Sequence, residues 1–70
     1  MNAIQKWRID QKLTLKQAAE LLGISEPTVW RYETGDRLVS PERATHVSKV
    51  TGIPRAVLRP DIFGPLNDGD

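Results

Sequence analysis

Three times along this chain a hydroxyl residue opens an amphipathic stretch and a glycine shuts it: Thr14 to Gly23, Ser25 to Gly35 and Ser40 to Gly52. Each opener suits a helix N-cap, whose side-chain oxygen accepts an otherwise orphaned backbone amide. Each glycine supplies the left-handed residue that ends a helix at low steric cost. Thr14-Leu15-Lys16-Gln17 is a capping box, in which the hydroxyl and the glutamine amide satisfy each other's backbone. Ser25-Glu26-Pro27 and Ser40-Pro41-Glu42 add an acid favoured by the helix dipole and a proline tolerated in the first turn. Punctuation this dense leaves room only for short helices.

The spacing predicts a first helix over residues 2–12, where Ile4, Trp7 and Arg8 share a face and no glycine or proline intervenes. A second follows Thr14 to Leu22, with Leu15, Ala18, Ala19 and Leu22 on its apolar face. A third runs from Glu26 to about Glu33, a fourth from Ser40 to about Thr51, and a last helical turn from Pro54 through Leu58. Arg59-Pro60-Asp61 ends that turn, because proline disfavours helix in the residue before it. The expected fold is all-α, a compact bundle of four to five short helices. Its predicted core is Ile4, Trp7, Leu13, Ala18, Leu22, Ile24, Val29, Ala44, Val47, Val50, Ile53 and Leu58.

Seventy residues accommodate one small domain, read here as residues 1–59 followed by an irregular acidic tail over 60–70. There is no cysteine, and a single histidine, His46, cannot build a zinc site alone, so packing must supply the stability. No apolar run approaches the roughly 18 residues of a membrane span. The first residues, Met1 to Trp7, lack the basic start and apolar stretch of a secretory signal, which together with the missing cysteine points to the cytoplasm.

Net charge is only +1, but it divides unevenly. All ten basic residues precede Pro60, against six acidic ones there, whereas Asp61, Asp68 and Asp70 stand alone in the tail. A mildly basic body is compatible with an anionic partner and equally with an ordinary solvated surface.

Two short helices joined by Gly23-Ile24-Ser25, with Ala18 and Ala19 in the first and Val29 in the second, make a helix-turn-helix arrangement. The glycine permits the tight reversal, the alanines let the helices cross closely, and Val29 fills the space between them. The second helix is then held outward, able to enter a major groove about 12 Å wide.

LTLKQAAELLGISEPTVWRYETGDR resembles the helix-turn-helix of the Cro and phage-repressor family, and Arg8 and VSKVTGIPRAVL extend the likeness over residues 2–58. The resemblance implies a lambda-repressor-like domain that regulates transcription by binding double-stranded DNA, as a Cro-like repressor on a pseudo-palindromic operator. TGIPRAVLRPDIF is further similar to short prophage-encoded regulators of the YdaS type. By position, the resemblance makes Glu26, Pro27, Thr28 and Arg31 base-facing, Arg31 being suited to a paired hydrogen bond with guanine. Glu26 serves equally as a capping charge. Ser25 falls at the backbone-facing start of the same helix, and Arg37 and Arg43, with Lys49 less directly, fall where family members grip phosphate. Arg8 and Glu33 match positions that form a structural ion pair.

The family's phosphate-bracing glutamine is Leu15 here, which leaves that contact to Lys16 and Gln17. Trp30 replaces a small polar residue and has three readings: a contact along the sugar-phosphate backbone, a partner surface, or partial burial against the fourth helix. Val57, Leu58, Ile62 and Phe63 form a terminal apolar cluster that serves either a homodimer contact or the monomer's own core. A different class of function, an interaction module or antitoxin component binding a protein partner, would instead use an apolar patch around Trp30. No nucleophile and base, phosphate loop, metal-ligand set or cofactor motif stands at a recognisable spacing, so no enzyme and no cofactor is expected.

Overall fold

The computed structural model describes residues 2–64. Among them, six helices follow in chain order: α1 (Ala3–Asp10), α2 (Leu15–Leu22), α3 (Glu26–Thr34), α4 (Pro41–Thr51), α5 (Arg55–Leu58) and α6 (Pro60–Phe63). The fold is all-α, with one helix more than the four to five expected. The addition is α6. Proline at position 60 ends α5 and also begins the next turn, because a residue without an amide proton loses nothing at a helix start. Residues 65–70, which hold the rest of the expected acidic tail, lie outside the described residues.

The caps are formed by the residues that the sequence nominates. The Gln17 amide donates to Thr14 Oγ1 at 3.1 Å and the Thr14 amide to Gln17 Oε1 at 2.9 Å, completing the capping box. Ser25 and Ser40 accept from the amides of Thr28 and Arg43, both at 3.3 Å. Helix α1 has a cap of its own, Asn2, whose Oδ1 accepts from the Gln5 amide at 2.9 Å. It also ends earlier than expected. Lys12 takes a left-handed conformation at φ 58°, and the Lys12 and Leu13 amides donate back to the carbonyls of Ile9 and Arg8. That is a Schellman stop made without glycine.

The buried core comprises Ile4, Ala18, Ala19, Leu22, Val29, Tyr32, Val39, Ala44, Val47 and Leu58, with Trp7, Leu15, Ile24, Val50, Ile53 and Phe63 packed around it. Leu13, expected inside, is only half-buried on the turn after α1. Tyr32 and Val39 are the residues the sequence did not offer: one lies a turn beyond Val29 on α3, the other in the loop before α4. Three polar links tie the periphery to this centre. Arg8 joins α1 to α3 through Glu33. The Asn2 side-chain amide donates to the Tyr32 carbonyl. Arg59 donates to the Val39 carbonyl at 3.0 Å and grips Asp61 through two further hydrogen bonds.

Candidate nucleic-acid interface

Helices α2 and α3 meet through the turn Gly23-Ile24-Ser25. Gly23 adopts φ 71°, a left-handed value that side chains rarely tolerate, and the Ile24 amide reaches back to the Ala19 carbonyl at 3.1 Å. Ala18 is completely buried in the middle of α2 and Val29 completely buried on α3. A side chain larger than alanine at position 18 would overpack this fully buried site, at a cost of about 1 to 3 kcal/mol.

With Val29, Tyr32 and Glu33 turned inward, helical geometry sends Pro27, Arg31 and Thr34 outward, with Trp30 on the flank of that stripe. These four residues, with Gly35 and Asp36, line one open cleft whose walls are mostly polar. Trp30 is 55% exposed.

The other nominated residues distribute themselves around this face. Ser25, Glu26, Lys16, Gln17, Arg37 and Arg43 are all exposed. Ser25 Oγ and Thr28 Oγ1 lie 2.6 Å apart, and Thr28 is half-buried. One of the two hydroxyls must donate to the other, which leaves a single O–H for an outside acceptor. Gln17 Oε1 is committed to the capping box, so any contact by this side chain falls to its Nε2 group. Lys16 and Arg43 do not line the α3 cleft. Arg37 lines a different, largely apolar depression with Leu38, Val39, Val57, Leu58 and Pro60.

The terminal apolar cluster divides. Leu58 is buried in the monomer's core, and Phe63 is half-buried with the Arg55 guanidinium 4.6 Å above its ring, a cation–π contact. Neither presents a free apolar face, because their own chain covers them. Val57 and Ile62 remain exposed, joined by Leu38, which the sequence did not single out.

Electrostatically α3 is braced from behind. Arg8 Nε and Nη2 donate to Glu33 Oε2 and Oε1 at 2.6 and 3.0 Å, and Nη1 donates to the Leu13 carbonyl at 3.1 Å. The hydrogen bonds to Glu33 hold the Arg8 guanidinium above its ordinary pKa, against an opposing effect of burial. Asn2 and Arg59 are structural positions that sequence reasoning missed. Each binds a distant backbone carbonyl, and only the cap half of Asn2's role leaves a sequence signal: an Asn three residues before Gln5.

Among the described residues no cluster of three or more His, Asp or Glu side chains could hold a metal ion, and no helix is long and apolar enough to cross a membrane. Comparison with known families finds a helix-turn-helix family match over residues 4–58. No curated protein and no solved structure matches the chain.

Proposed function

This chain belongs to the Cro and phage-repressor type of helix-turn-helix family, a class of DNA-binding transcription regulators, and from that premise we propose that it represses transcription as a dimer on a pseudo-palindromic operator. The observation that carries the reading is the outward stripe of α3: Pro27, Arg31 and Thr34 project from a helix whose opposite face, Val29, Tyr32 and Glu33, is locked into the core. Such a helix enters a major groove without repacking.

In this reading Arg31 pairs with guanine O6 and N7, and Glu26, Pro27 and Thr28 face neighbouring bases. Lys16, the Nε2 group of Gln17, Ser25, Arg37 and Arg43 hold phosphates and fix the register. One domain reaches only a few base pairs, so affinity calls for two copies with half-site centres about 34 Å apart. The exposed Leu38 and Val57, which share an apolar depression, support a contact between copies, and Ile62 on the terminal turn is exposed as well. This surface takes the place of Leu58 and Phe63 in the expected cluster.

Selection from random duplex DNA at near-physiological salt tests the reading. Enrichment of an inverted repeat with that spacing supports the dimeric operator. Failure of folded protein to enrich any sequence favours the second reading, a protein-interaction module. The same exposed Leu38, Val57 and Ile62 are what speak for it.

A further inference from the structure

A tryptophan on the flank of a reading helix carries the largest unspent apolar surface of the α3 face. Trp30 stands three residues after Pro27, so the indole and the pyrrolidine ring lie one turn apart on the same side of the helix, beside Arg31 and Thr34. Neither apolar side chain is covered: Pro27 is exposed and Trp30 is more than half exposed. Two features argue against the sugar-phosphate backbone as what covers them. Asp36 lines the same cleft and Glu26 precedes Trp30 by one turn, so two carboxylates outweigh the single cation Arg31 and disfavour phosphate on this flank. Bases carry no net charge, and the carboxylates do not oppose them.

In the major groove a duplex displays hydrogen-bonding edges and one apolar group, the 5-methyl of thymine. We propose that Trp30, with Pro27, is a specificity-determining contact that reads a thymine methyl next to the base pair read by Arg31. The inference rests on the DNA-reading function proposed above and adds to it a base preference that hydrogen bonding alone does not supply. The contact is steric and hydrophobic. It needs no donor or acceptor from the indole, so it discriminates thymine from uracil, which differ only by that methyl.

The test uses the duplex enriched by the full chain, with each thymine replaced in turn by deoxyuridine and binding followed by fluorescence anisotropy. The expected result is one thymine per half-site whose replacement weakens binding about fourfold, the worth of one buried methyl group. Trp30→Ala abolishes that thymine-to-uracil ratio while still binding the duplex, and Trp30→Phe retains part of it. Because Trp30 is exposed, both variants should fold, and their helical circular dichroism is measured alongside. Pro27→Ala provides an independent variant with the same direction of effect. Uniform tolerance of uracil, or a Trp30→Ala protein that keeps the full ratio, overturns the methyl contact while leaving DNA reading in place. Failure to enrich any duplex overturns both together.

Discussion

Arg8 on α1 and Glu33 on α3 are joined by two hydrogen bonds, and the Glu33 side chain is 1% exposed. A carboxylate this deep is tolerable only while a cation answers it, because desolvation of an unpaired charge costs several kcal/mol. Arg8→Ala should therefore lower stability by about 3 kcal/mol and free the C-terminal end of α3 from α1. The double replacement Arg8→Met with Glu33→Leu removes both charges and should recover most of that loss. Thermal melts of the two proteins decide it: a double variant no more stable than Arg8→Ala would mean that the guanidinium's hold on the Leu13 carbonyl, not its charge, is what matters.

Lys12 closes α1 at φ 58°, where a side chain costs roughly 1 to 2 kcal/mol relative to glycine's easy access. Part of that cost is offset when glycine's greater freedom in the unfolded chain is counted. Lys12→Gly should consequently raise stability by about 0.5 kcal/mol, and the β-branched Lys12→Val should lower it by more than 1 kcal/mol. Urea denaturation of the three proteins checks the order.

Arg59 binds Asp61 through both carboxylate oxygens, at 2.9 and 2.7 Å, and these hydrogen bonds hold the Asp61 carboxyl below its ordinary 3.8. A depressed carboxylate pKa stabilises the fold above the unfolded value and loses that contribution as pH falls through the folded one. Asp61→Asn should lower the melting temperature slightly at pH 7 and match the original protein in strong acid, where Asp61 is protonated in both states. A gap that persists undiminished at pH 2 would assign the effect to geometry, not charge.

How far the sequence could foresee this molecule depended on how locally each feature is encoded. The caps at Thr14, Ser25 and Ser40 need only a partner three residues away, and all three were readable. Of the stripe Pro27, Arg31 and Thr34, the first two were readable by position, whereas Thr34 was not, because the helix was expected to end at about Glu33 and runs one residue further. Asn2 and Arg59 escaped because their distant acceptors, the carbonyls of Tyr32 and Val39, are groups that every residue carries. Val39 escaped because burial in a loop has no periodicity to betray it. Helix α6 was hidden by Pro60, whose effect on the residue before it reads as a stop and whose fixed φ suits a start. The exposure of Trp30 is a matter of tertiary packing, which no local pattern states.

Arg31 and Arg43 are both exposed arginines, yet they differ in what stands around them. Arg31 projects from the α3 stripe into the cleft shared with Trp30, whereas Arg43 sits in the first turn of α4, outside that cleft. A base contact and a phosphate contact leave different signatures on the same binding isotherm. Arg31→Ala should cost about 1 to 3 kcal/mol on the selected duplex and relax base preference at one position per half-site. Arg43→Ala should weaken all sequences alike and reduce the salt slope by about 1 per half-site. Binding titrations across a salt series, on the selected duplex and on a scrambled one, separate the two. If Arg43→Ala changes sequence preference, or Arg31→Ala changes only the salt slope, α3 does not lie in the groove as proposed.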